Sequence, residues 1–128
     1  MQSKYRTLLV AAAAALAIAS SAVASVGLSG TYETKIKSPA QLKGTWAITL
    51  AKGGAYTVAV NGQPGARGNY STTPTTITFV RERGSGCTGR GTYTWKRSGK
   101  IVTFVRKRES SSCQVRAAVL AHRFTQVR

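Results

Sequence analysis

A glycine followed two residues later by an aromatic ring recurs five times in the chain. The units are Gly30-Thr31-Tyr32, Gly44-Thr45-Trp46, Gly54-Ala55-Tyr56, Gly68-Asn69-Tyr70 and Gly91-Thr92-Tyr93. Glycine at a strand entry permits a sharp bend, and the aromatic on the same face fills the interior of a strongly curved sheet. The residues between these units alternate with period two. Trp46, Ile48 and Leu50 share one face, Lys52-Gly53-Gly54 is a turn, and Tyr56, Val58 and Val60 share the next face before the turn-rich Asn61-Gly62-Gln63-Pro64-Gly65. Pro74 breaks the pattern ahead of Ile77 and Phe79. Tyr93 and Trp95 lead into Ser98-Gly99, a two-residue hairpin signal, and Ile101 to Val105 is β-branched and aromatic. With Thr31–Lys37 and Arg123–Val127 included, the pattern predicts seven or eight short strands. They form an all-β, antiparallel up-and-down meander, closed or nearly closed into a small barrel. Cys113 to Ala121 fits a short helix almost as well as a strand, and the pattern leaves open whether Ser25–Leu42 joins the sheet.

A duplicated hairpin adds a second constraint. Gly68-x-Tyr70 leads to Thr78-Phe79-Val80-Arg81-Glu82-Arg83 and then Cys87, while Gly91-x-Tyr93 leads to Thr103-Phe104-Val105-Arg106-Lys107-Arg108 and then Cys113. The cysteines follow equivalent hairpins, so a bond between them would tie two neighbouring ends together. The compartment agrees with that pairing. Residues 1–24 read as a secretory signal peptide: Lys4 and Arg6 form the basic region, Leu8 to Ile18 is unbroken apolar, and Ala22-Val23-Ala24 offers the cleavage site. Residues 25–128 then form a single domain in the periplasm, at the cell surface or outside the cell, with no membrane span once the leader is cut. Export makes a Cys87–Cys113 disulfide the expected state. It would close a loop of about 26 residues, worth ~3.5 kcal/mol on the loop-entropy account.

Charge and composition argue against catalysis. The chain has 19 Lys+Arg against 3 Asp+Glu, for a formal net charge of +16, two of which lie in the leader. It contains no aspartate; its acids are Glu33, Glu82 and Glu109. Paired-carboxylate hydrolysis, an aspartate-held Mg²⁺ or Ca²⁺ and a Ser-His-Asp triad all lack parts. Zinc would have to use Cys87, Cys113 and His122 at spacings foreign to structural sites. The expectation is a protein without enzymatic activity, metal or cofactor.

Gly44-Thr45-Trp46 opening the first long strand, after an export signal and before a meander of hairpins, resembles the calycin group of lipocalins, avidins and fatty-acid-binding proteins. The resemblance covers roughly residues 42–128 and implies a barrel whose tryptophan closes the base. It further implies an arginine packed across Trp46, for which Arg123 or Arg116 is available. The avidin strand continues into an Asn and a Ser that hold biotin, whereas Ala47-Ile48-Thr49-Leu50 stands here, so biotin is not implied. A small exported inhibitor of bacterial metalloproteases also uses a lipocalin-like barrel with one disulfide.

Two kinds of binding follow from these residues. In the first, Trp46, Tyr56, Tyr70, Phe79, Tyr93 and Phe104 wall an interior that takes a small apolar or anionic amphiphile. Arg81 and Arg106 share parity with Phe79 and Phe104. They would line the mouth and grip the head group, provided the strands run on without a bulge. In the second, the same aromatics fill the barrel solidly, and the basic exterior binds a macromolecule, either an anionic envelope component or a protease. Lys96-Arg97 beside Tyr93 and Trp95 could form a basic-aromatic face of the kind that binds single-stranded nucleic acid, but charge alone does not make nucleic acid the partner. His122, with no aspartate to orient it, reads as structural. Oligomeric state is not encoded in any of these features.

Overall fold

The computed structural model describes residues 27–128. The expected leader, residues 1–24, lies outside the described residues. Eight strands follow in order: β1 Gly30–Ile36, β2 Gly44–Leu50, β3 Ala55–Val60, β4 Gln63–Thr72, β5 Thr76–Arg83, β6 Gly91–Ser98, β7 Ile101–Arg108 and β8 Phe124–Gln126. Each pairs antiparallel with the next, and β1 also pairs with β8, so the meander closes into a barrel. The N-terminal segment thus joins the sheet as β1. The ambiguous stretch after β7 is helical: a single 3-10 turn, Ser111–Cys113, leads into α1, Gln114–Leu120. The buried residues of α1 are Arg116, Val119 and Leu120, at the i, i+3, i+4 spacing of one helical face.

Local chemistry sets the turns. Val60 pairs with Gln63, leaving Asn61 and Gly62 as a two-residue loop with φ 50° and 79°, the left-handed conformations that suit this hairpin. Ser98 pairs with Ile101, so the second such loop is Gly99-Lys100, one residue later than the sequence signal suggests. Cys87 and Cys113 are joined, with their Cα atoms 4.7 Å apart, and tie the loop after β5 to the start of α1.

Alternation places Tyr32, Ile36, Ile48, Leu50, Tyr56, Ile77, Phe79, Tyr93, Val102, Phe104 and Phe124 inside. Leu28, Leu42, Val119 and Leu120 complete the same core. The rings meet edge to face: Tyr56–Phe79 at 5.1 Å, Phe79–Tyr93 at 6.0 Å and Phe104–Phe124 at 5.8 Å between centroids. The outward positions mix Thr and Ala on β3, Thr, Val and Arg on β5 and Thr and Val on β7, and the exposed ends of β5 and β7 carry Arg and Lys. Among the described residues no helix is long and apolar enough to cross a membrane.

The glycines of the five repeats serve two purposes. Gly30, Gly44 and Gly54 have positive φ at strand entries, as a bend requires. Gly68 is needed for space instead. It pairs with Tyr56, and a Cβ there would stand 2.7 Å from the Tyr56 ring. That ring is held by Phe79 and by its hydroxyl's hydrogen bond to Glu82 at 2.8 Å, so it has little freedom to retreat. Gly68→Ala is therefore expected to cost about 1–3 kcal/mol from overpacking, measured by urea denaturation, whereas the exposed Gly53→Ala should stay close to wild type.

Candidate functional site

At the end of the barrel where β5 and β7 run out, the interior turns from apolar to charged. On β5, Phe79 faces inward, but Arg81 has φ 56° and the pairing with β4 shifts between Arg67 and Asn69. This bulge reverses the alternation. Glu82, not Arg81, points into the barrel, and only 8% of it is exposed. The β6–β7 pairing shifts likewise between Thr92 and Tyr93, after which Glu109 turns inward. Arg81 is displaced by the bulge and lines an outer depression with Arg67 and Arg83, whereas Arg106, also exposed, precedes the second bulge and stands opposite Tyr93.

Arg116 of α1 lies between the two carboxylates. Its Nε and Nη2 donate to Glu109 at 3.0 and 2.6 Å as a two-pronged fork, and Nη2 also donates to the Gly89 carbonyl at 2.8 Å. Nη1 stands 3.9 Å from Glu82 and is buried without a hydrogen-bond partner. Tyr56 donates to Glu82, Tyr93 donates to Glu109, and Ser85 donates to the second oxygen of Glu82. Gly91 makes room for this group, since a Cβ there would meet the Glu109 carboxylate at 2.5 Å and the Arg116 guanidinium at 2.7 Å.

The surroundings tune these groups. Burial works to raise the Glu109 pKa, but hydrogen bonds from Arg116, Tyr93 and the Ser110 N–H outweigh it and hold the carboxyl below the ordinary value. Burial, then the neighbouring carboxylate, pushes the phenols of Tyr56 and Tyr93 well above 10.0. For Arg116, burial alone would lower the pKa; the Glu109 fork prevails and locks in the positive charge.

Beside this cluster, under α1, lies a pocket of about 90 Å³ lined by Trp46, Tyr56, Phe79, Glu82, Arg116 and Leu120 among others. Trp46 is half-buried, and its Nε1 donates to the Leu42 carbonyl at 2.7 Å. Among the described residues no arginine stacks on Trp46. Arg116 lies over Phe79 at 5.8 Å because the buried carboxylates draw it there, and Arg123 is exposed. Tyr56, Phe79 and Tyr93 thus meet at this end, while Phe104 packs against Phe124. Tyr70 lies apart, its hydroxyl donating to the Ala51 carbonyl at 2.6 Å near the β2–β3 turn.

Alternation also splits the pair Lys96-Arg97. Lys96 is exposed, whereas Arg97 turns in over Tyr32 at 5.7 Å and donates to the Tyr32 hydroxyl and to Gln126 at 2.5 and 2.6 Å. Trp95 has its Nε1 engaged by the carbonyls of Thr73 and Thr76 at 3.1 and 3.2 Å, so no basic-aromatic platform forms. His122 caps its own helix, with Nδ1 3.0 Å from the Ala118 carbonyl.

Glu82, Glu109 and Arg116 are the functional surprise. Their sequence signal is scarcity, since two of only three acids follow the two phenylalanine strands that the duplicated hairpin marks. With both inside, Glu33 is the one acidic side chain at an outward position of the described barrel. Comparison with protein-family models, with curated proteins and with solved structures returned no match.

Unfolded Glu109 takes up a proton near 4.5, and folded Glu109 does so only at lower pH. Its contribution to stability is therefore complete above about 4.5 and is lost as pH falls through the folded value. In urea titrations between neutral pH and about pH 3, Glu109→Gln should start less stable and show a flatter acid limb. Above 10.0 the sign reverses, because unfolded Tyr56 and Tyr93 ionise while the folded phenols keep their protons, so stability should fall with rising pH. Gly91→Ala should displace Glu109 from Arg116 and destabilise by about 3–5 kcal/mol at neutral pH, as for a broken buried pair.

Proposed function

We propose that the chain is an exported, non-catalytic, calycin-like barrel that binds an anionic polymer of the cell envelope through its basic exterior. The observation that carries this is the withdrawal of Glu82 and Glu109 into the core. It leaves an outer surface of Lys and Arg with little negative charge to neutralise it. The Gly44-Thr45-Trp46 strand entry and the closed eight-strand meander support the calycin-like assignment. The leader-like N-terminus and the disulfide support export.

Room inside bears on the choice between an interior and an exterior ligand. Pockets for drug-sized ligands run from about 300 Å³ upward, and the space under α1 is about 90 Å³. Tyr56, Phe79 and Tyr93, three of the aromatics that would wall an amphiphile's cavity, pack against one another. Arg81, a candidate head-group contact, is exposed in an outer depression and available to an outside partner.

The test is binding of the protein, recovered from an oxidising compartment, to immobilised heparin as a model polyanion. Affinity should fall by about 10³-fold or more between about 50 and 200 mM salt, as for a contact that neutralises several anionic groups. Salt-independent binding, or none, would count against the proposal. Native mass spectrometry of the same sample discriminates the interior alternative, because a stoichiometric adduct of lipid size would restore the amphiphile as ligand.

A further inference from the structure

The geometry points to the outer face of β3, β4 and β5 as the anchor, a groove in which Arg67, Arg81 and Arg83 grip successive acidic groups of an anionic polysaccharide. The inference rests on the polyanion function proposed above and adds where the polymer lies and what class it belongs to.

Strand register assembles the groove. Thr57 pairs with Arg67 and Arg67 with Arg83, so these three form one row across the sheet. Ala55, Asn69 and Val80 form the next row, and Arg81 sits in the bulge between the two. Thr57, Arg67, Asn69, Arg81 and Arg83 are all exposed. Two open depressions, of about 540 and 260 Å³, share Thr57, Arg67 and Arg83 along their common edge. Pro64, Gly65, Ala66 and Gly84 give the larger one a floor without bulky side chains, and no carboxylate lines either.

The bulge makes the face positive. Unbroken alternation after Phe79 would send Arg81 and Arg83 inward with Phe79 and set Glu82 outside among them. The left-handed residue at 81 exchanges these positions, so the only local counter-ion goes into the core and both arginines go out. Arg67 and Arg83 are then directly opposite one another, an arrangement of like charges that weakens a sheet. Among the described residues, neither of them nor Arg81 makes an ion pair. Two guanidinium groups on adjacent strands can close on one sulfate, phosphate or carboxylate, with Arg81 left for the next group along the chain.

The groove's other side chains favour a sugar polymer. The Thr57 hydroxyl and the Asn69 amide suit a polyhydroxylated partner. No aromatic side chain is exposed among the described residues, so nucleotide bases find no stacking platform. The large exposed apolar residues, Val105, Val115 and Val127, lie outside the groove, so a bilayer finds no adjacent insertion point.

The experiment compares two triple variants of the full chain, expressed with its N-terminal segment. R67Q/R81Q/R83Q empties the groove, and R106Q/K107Q/R108Q removes equal charge from β7. The probe is a heparin-derived octasaccharide, titrated by calorimetry at several salt concentrations. The groove variant should lose about tenfold or more in affinity and about two to three in the log–log salt slope, with the β7 variant within a few-fold of wild type. Equal losses in both variants would overturn the groove while leaving polyanion binding intact. Absent or salt-insensitive wild-type binding would defeat the underlying function itself. Tighter binding of a single-stranded oligonucleotide, or of phosphatidylglycerol vesicles, lost in the groove variant, would overturn the polysaccharide assignment. The single variant R83Q guards against misfolding. Relieved of the opposed charge it should melt at or above the wild-type temperature, by up to about 5 °C, and still bind the octasaccharide more weakly.

Discussion

The fork from Arg116 to Glu109 is the contact around which the helix end of the barrel is organised. Through it α1 is fixed to the end of β7, and the Gly89 carbonyl and Glu82 add the loop after β5 and β5 itself. Tyr56 from β3 and Tyr93 from β6 complete the ring of donors. A buried ion pair adds modest net stability, because desolvation offsets most of its attraction. Its force lies in what it forbids. Any packing that moved α1 elsewhere would leave two carboxylates in an apolar barrel without a cation.

The bulges in β5 and β7 connect that interior to the exterior. One inserted residue in β5 exchanges the faces of everything that follows it, so the residues that fill the core and those that meet solvent are chosen together. Glu82 gains a guanidinium neighbour and a tyrosine donor, and the outer face becomes more positive by the same displacement. The surface charge is therefore a property of strand geometry as much as of composition.

The elements that obey simple periodicity were legible in the sequence. Trp46-Ile48-Leu50 and Ile77-Phe79 declare their faces, Asn61-Gly62 declares its turn, and the placement of Cys87 and Cys113 after matched hairpins declares their bond. A meander of seven or eight strands, closed or nearly closed, follows from these, and the structure fixes eight and closure through β1 and β8. The direction of Arg81 did not follow, because nothing in Val80-Arg81-Glu82 distinguishes a bulge from continued alternation. The engagement of Arg116 with buried carboxylates, rather than with Trp46, was hidden for a related reason. In Gln114–Leu120 its charge argues for solvent, and only the helical spacing to Val119 and Leu120 places it inside. The size of the pocket under α1 reflects the edge-to-face rings, whose mutual packing no pattern of single residues reports.

Closure of the barrel depends on its shortest strand. β8 contributes Phe124 and Thr125 to β7 and Thr125 and Gln126 to β1, and backbone bonds from Thr31 to Arg128 and from Val127 to Thr31 extend the seam. Of the eight strands this one is synthesised last, and its partner β1 is synthesised first. Until β8 docks, β1 and β7 present unpaired amide and carbonyl edges, which are templates for association between chains. Protection against such chain-to-chain pairing therefore rests on three residues, Phe124–Gln126, which cover both edges at once.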